Sequence, residues 1–324
     1  MNTMIALFKR EWLEHKGGFG WGPVIVSGVL IAITLIALVV GSVGAAHIDL
    51  GDMSDDDIAE AESYGIQLST DGINLSDLVD GLLAKQSWTE AELAQGLDMF
   101  RHGVAAPFYL VYFIIAFFVL LGALYDDRKD RTVLFWKSIP VTDTETVLSK
   151  LITTAWVAPA ATIVMIFATQ VFFLIVVTFL IIGSDHLSTW QVWSNSGLIV
   201  GFFELIVGYV IQGLWALPIY GWLLFVSSAV TKVPFVWAVL TPAVPMLLER
   251  AVFGSMVLAK GVGNHLQFKA LPMAAEIEGD TVENAVELSD IFALLATTDM
   301  WFGVVVGVAF MSGAVYFRRR NNEI

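Results

Sequence analysis

Apolar positions along the chain gather into six runs, at about residues 23–46, 104–124, 151–182, 198–230, 234–258 and 300–317. Each is long enough to cross a hydrocarbon core about 30 Å thick. Within the runs the apolar residues are nearly continuous and show neither the two-residue alternation of a half-buried strand nor the narrow stripe of a surface helix. The pattern predicts an all-α polytopic membrane protein with six transmembrane helices. Residues 21–324 form the six-span domain, and residues 1–20 precede it as a separate element.

That first element, TMIALFKREWLEHK at residues 3–16, puts Met4, Ile5, Phe8 and Trp12 on one helical side and most charges elsewhere. It reads as an amphipathic helix at the membrane interface. The first span is too long for the 7–15-residue core of a signal peptide and is expected to be a retained anchor. Residues 47–103 are expected to form a small helical cap outside the membrane, with helix starts at Ser54, Ser76 and Ser87. The last start fits a capping box with Glu90, after which Leu93, Leu97 and Phe100 share a face. The third span, at about 48 Å, exceeds the bilayer core and is expected to tilt or protrude. Pro218 is expected to kink the fourth. Residues 259–298 form a second outer segment, and residues 125–150 an inner loop.

Composition agrees with this class: 57% of the 324 residues are hydrophobic and 15% charged, against roughly 25% charged in a soluble domain. Lys9, Arg10, Lys16, Arg128, Lys129, Arg131, Lys137, Lys150, Lys232 and Arg318 to Arg320 flank span ends on one side. The positive-inside rule therefore expects both termini in the cytoplasm, in an inner (plasma) membrane protein. The net charge of −14 collects mainly on the other face, from Asp49 to Asp98 and from Glu276 to Asp290. Phosphates call for clustered Lys and Arg, whereas the basic residues here are divided among span ends in a net-acidic chain, which argues against nucleic-acid binding.

Familiar reaction machinery is missing too. There is no cysteine and no Gly-Lys dipeptide, hence no thiolate chemistry and no Walker A loop. The five histidines are scattered and form no HExxH, so no metal site is expected. The acidic run Asp55-Asp56-Asp57 lacks the Gly and Glu of an EF-hand loop and reads as a solvated turn. Ionisable residues inside spans are costly and mark candidate functional positions. Glu204, Glu249 and Arg250 fall in this class, with Glu204 and Arg250 expected either to meet across helices or to reach headgroup water. Gln170 and Gln212 lie deeper and are expected to hydrogen-bond between helices or subunits. With Pro218 they make up a possible substrate path.

The inner loop holds the most charged stretch, DDRKDRTVLFWKSIPVTDTE at residues 126–145. A short helix carrying Leu134, Phe135 and Trp136 is expected there, ended by Pro140. Thr142 and Asp143 are expected to cap a new helix leading into the third span. The order Asp127-Arg128, Thr132, Ser138-Ile139-Pro140-Val141, Lys150 resembles the permease subunits of type-2 ABC exporters, in which a charged segment precedes a Ser/Leu-x-Pro-Val motif and a Lys that opens the third span. The amphipathic start and the six spans agree with that family over essentially the full length. Arg131 stands where the family often has Gly.

The resemblance implies a homodimeric permease, worked by two copies of a cytoplasmic P-loop ATPase that hold the ATP and Mg; no cofactor is expected on this chain. It also implies that Asp127, Arg128, Arg131, Thr132, Trp136, Ser138, Pro140 and Val141 form the ATPase-binding coupling loop. Two readings of other classes stay open: a membrane-embedded regulatory subunit without transport, and an intramembrane enzyme. The first would show no substrate-stimulated ATP turnover, and the second needs a buried catalytic pair.

Overall fold

The computed structural model describes residues 3–45, 89–131, 141–182, 187–271, 277–278, 281–282 and 288–320. Six helical stretches among them are long and apolar enough to cross a membrane, and the protein is an all-α polytopic membrane protein. The only strands among the described residues are a two-residue antiparallel pair, β1 (Ile277–Glu278) and β2 (Thr281–Val282).

Helix α1 (Thr3–Phe19) leads through Gly20 into α2 (Trp21–Ala45). The buried face of α1 is centred on Leu7, Glu11 and Phe19, one position away from the expected Met4–Ile5–Phe8–Trp12 side, and Ile5 is exposed. The shift has a cause: this face packs on protein, where Glu11 finds a cationic partner, rather than lying on lipid alone.

Helix α3 (Glu90–Lys129) is one element of 40 residues. It fuses the end of the expected outer cap with the second span and continues into the expected inner loop. Its capping box is Thr89 with Glu92, two residues after the expected Ser87. The rest of the outer cap, including Ser54, Asp55 to Asp57, Ser76 and Ser87, lies outside the described residues.

Helix α4 (Asp143–Ile152) starts as expected, with Thr142 accepting from the Glu145 N–H and Glu145 reaching back to Thr142. It runs into a π-turn (Thr153–Val157) and then α5 (Pro159–Ile181). Pro159 explains the turn. A proline has no N–H and crowds the carbonyl four residues back. The ladder slips, and the Ala158 N–H donates to Thr153 O, five residues back, at 2.7 Å. Thr154 O loses its helical donor and instead accepts the Tyr112 hydroxyl at 2.5 Å.

After a short α6 (Thr189–Asn195), the fourth run is two helices, α7 (Leu198–Trp215) and α8 (Leu217–Ala229), broken at Ala216. Pro218 thus acts more strongly than the expected kink. The Ile219 N–H turns to Ala216 O, and Trp215 O is taken by the His265 ring at 2.8 Å. The fifth span, α9 (Pro234–Phe253), ends at Gly254 with φ 65°, short of the expected residue 258. Then α10 (Val257–Leu266), α11 (Leu288–Ala293) and α12 (Thr298–Arg320) complete the α-helices among the described residues. The most extensive helix pair is α8 on α12. Their backbones meet at Gly221, where a Cβ would stand 2.6 Å from Gly307 O.

Candidate functional site

The end of the bundle that carries α1 and the last turn of α12 holds a buried network of ions. Lys150, on α4, lies 3.4 Å from Glu11 of α1 and 3.5 Å from Asp127 near the end of α3. Asp127 in turn lies 3.2 Å from Arg318 near the end of α12 and 3.7 Å from Arg10. Arg318 closes the circuit to Asp143, at the start of α4, at 3.2 Å. Glu11, Asp127, Lys150 and Arg318 are each exposed by 4% or less. Three carboxylates (Glu11, Asp127, Asp143) face three cations (Arg10, Lys150, Arg318), and Glu14 adds a rim contact to Arg10 at 3.3 Å.

Charges taken out of water are tolerated only when each is paired with good geometry. The network therefore fixes the relative register of four segments that are remote in sequence. Local structure places each member. Asp143 sits in the first turn of a capped helix, where a carboxylate is favoured. Lys150 lies seven residues further along the same helix.

Arg128, beside Asp127, has a separate role. Its Nη2 donates to Ser227 O at 2.7 Å and to Val230 O at 2.9 Å, satisfying the carbonyl end of α8. Ser227 reaches back, and its hydroxyl oxygen lies 2.9 Å from the Leu124 N–H. Asp127 and Arg128, expected on a docking surface, are therefore inside the bundle. Arg131 is exposed, with a left-handed φ of 55°, and Val141 is half-buried. Thr132, Trp136, Ser138 and Pro140 lie outside the described residues.

The expected substrate-path residues do not share one place. Glu204 is buried and pairs with Arg101, both of whose terminal nitrogens donate to Glu204 Oε2 at 3.0 Å. Asp98 binds the same guanidinium, and the Gln170 amide donates to Arg101 O at 3.0 Å. Gly201 makes room for the pair, because a Cβ there would fall 1.4 Å from Arg101 Nη1. Of the two alternatives for Glu204 and Arg250, the meeting across helices does not occur. Arg250 is exposed, with Met256 Sδ at 3.8 Å. Its neighbour Glu249 caps α10 by accepting from the Val257 and Leu258 N–H groups at 2.7 and 2.9 Å and from the Ser255 hydroxyl at 2.6 Å.

Gln212 does bridge between segments, as expected. It donates to Gln267 O and accepts from the Ala270 N–H, both at 3.1 Å. The Trp215 indole adds a bond to Asn264 O at 2.8 Å. Residues 264–270 are thereby fastened to the break at Ala216, beside Pro218.

The sequence pattern singles out neither Glu11, Asp143 and Arg318 as network members nor Arg101 as the partner of Glu204. One signal was available for Lys150: a lysine at the threshold of an apolar run needs either water or a buried counter-charge. Among the described residues no three His, Asp or Glu side chains converge as metal ligands would. No protein-family model, no curated protein and no solved structure matches the chain.

Proposed function

We propose that the chain is the membrane-spanning subunit of an ATP-driven exporter, similar to type-2 ABC permeases, paired with a second copy and worked by a separate cytoplasmic P-loop ATPase. The observation that carries the reading is the ion network. It ties α1, the exit of the second span, the entry to the third and the end of the last into one body, directly beside the exposed charges of residues 129–131. A push on that stretch is passed to four segments at once, because none can move without separating buried charges.

The 324 residues contain no Walker A sequence, and in this reading a separate polypeptide supplies the motor. In this arrangement the termini and residues 125–150 face the cytoplasm of an inner (plasma) membrane, and the Arg101–Glu204 end faces outward. The exposed cations Lys129 and Arg131 steer the ATPase, while Asp127 and Arg128 hold the platform from within. The test is co-purification of the tagged full chain with its ATPase. Lys129→Glu with Arg131→Glu is expected to abolish the association while membrane insertion stays normal. Undiminished association would refute the docking assignment.

A further inference from the structure

One buried face of α3 carries Arg101, Ala105, Tyr109, Tyr112 and Ala116, at spacings of four, four, three and four residues. Such spacing makes one stripe along a helix. Opposite it, α7 presents Glu204 and Tyr209. The rings interlock edge to face, Tyr109 with Tyr209 at 5.9 Å between centroids and Tyr112 with Tyr209 at 5.5 Å. Tyr112 spends its hydroxyl on Thr154 O. The Tyr109 and Tyr209 hydroxyls have no protein partner, although the two residues are 0% and 3% exposed. The buried hydroxyl of Thr153, in the adjoining π-turn, has none either.

Buried polar groups without partners are rare because the lost hydration is not repaid. Phenylalanine would fill the same space at Tyr109 and Tyr209 without that cost. Hydroxyls kept here have work in another arrangement of the same helices.

We propose that Tyr109 and Tyr209 line a path for water, and for the hydrogen-bonding part of the cargo, through the interior of a single chain, and that this conformation holds the path shut. Three features make the seam separable. Its side walls are apolar, with Phe19, Phe108, Phe268 and Leu271 packed about the tyrosines, and they offer no hydrogen bond to the Tyr109 and Tyr209 hydroxyls. Its outward end is the Arg101–Glu204 pair, a polar threshold at which water can replace protein contacts. Its flank holds two discontinuities already cut into the helices, the π-turn at Thr153–Val157 and the break at Ala216, and the Trp156 indole of the first donates to Val210 O of α7 at 3.1 Å. π-Turns of this kind concentrate at functional sites. The inference rests on the reading of the chain as a transport subunit, but the path is taken to open transiently without the motor, so its test needs no ATPase and the docking assignment can fail while this one stands.

The chain contains no cysteine, so single cysteines can be placed in the natural sequence. Tyr109→Cys and Tyr209→Cys are compared, in membranes of expressing cells, with Phe108→Cys. Phe108 is 1% exposed on the same helix, and its replacement leaves a cavity of similar size. The probe is a small hydrophilic methanethiosulfonate, which reacts only with a thiolate, and a thiolate forms only where water reaches. The two tyrosine positions are expected to react at least about tenfold faster than the Phe108 position. Equal rates overturn the proposal. Should the cysteine variants fail to insert, Tyr109→Phe with Tyr209→Phe decides, since it keeps the packing. A higher thermal midpoint than the parent supports hydroxyls unpaired in the resting state, and an unchanged or lower one overturns it.

Discussion

Replacing Lys150 by Met removes one ammonium from the ion network and leaves a side chain of similar length. Two carboxylates then lose a partner, Glu11 at 3.4 Å and Asp127 at 3.5 Å. At an effective dielectric of about 20, each attraction is on the order of 5 kcal/mol. The desolvation cost already borne by Lys150 is recovered in the variant, so the net loss is smaller. The count of charges falls from three against three to Arg10 and Arg318 against Glu11, Asp127 and Asp143. Glu11 keeps Arg10 at 3.5 Å and Asp127 keeps Arg10 and Arg318, but the buried set is left with one excess negative charge, and breaking a buried pair typically costs about 3–5 kcal/mol. In thermal unfolding of the detergent-solubilised protein, followed by tryptophan fluorescence, the midpoint is expected to fall by on the order of 5–10 °C.

The second arm of the experiment separates pairing from mere packing. Glu11→Leu with Lys150→Met restores neutrality, and apolar replacement of a whole buried pair is often neutral or stabilising. The double variant is therefore expected to recover most of the loss, with a coupling of about 2–3 kcal/mol in the cycle. A Lys150→Met protein as stable as the parent, or a double variant whose loss equals the sum of the two singles, would refute the account of the network as mutually compensating charge.

Two other outcomes follow from single contacts. Gly201→Ala puts a methyl 1.4 Å from Arg101 Nη1 and must displace the guanidinium from Glu204. A loss of about 2–4 kcal/mol is expected in the same unfolding assay, and Gly201→Ala with Arg101→Met is expected to lose less than the sum of the two single changes. Glu249→Ala takes both oxygens from the start of α10. About 1 kcal/mol should be lost locally, seen as faster amide exchange at residues 257–260 with little change elsewhere.

Much of the architecture was legible in the chain because it depends on near neighbours. A run of apolar residues longer than the bilayer core has few alternatives to spanning it. Thr142 and Glu145 form their capping box within a single turn, and Pro218 interrupts a helix wherever that helix lies. The same locality explains two misreadings. Nothing between Glu90 and Lys129 stops a helix except Pro107, which the structure accommodates. Reading a break at the edge of the apolar run mistook a change of environment for a change of conformation. The buried side of α1 was centred on its most apolar residues, whereas Glu11 belongs there because Lys150 does.

The sequence by itself determined the number of spans, their approximate limits, the caps, the proline discontinuities and the gathering of basic residues at span ends. Those features follow from hydration and backbone geometry over a few residues. Tertiary structure alone decided the pairings: Glu204 with Arg101 instead of Arg250, Arg128 on the carbonyl end of α8, and Lys150 between Glu11 and Asp127. Glu11 and Lys150 stand 139 residues apart in sequence, and Arg101 and Glu204 stand 103 apart. A charge inside an apolar run announces that it needs a partner. Which partner it finds depends on how helices are laid side by side, and that information is absent from the periodicity of any one of them.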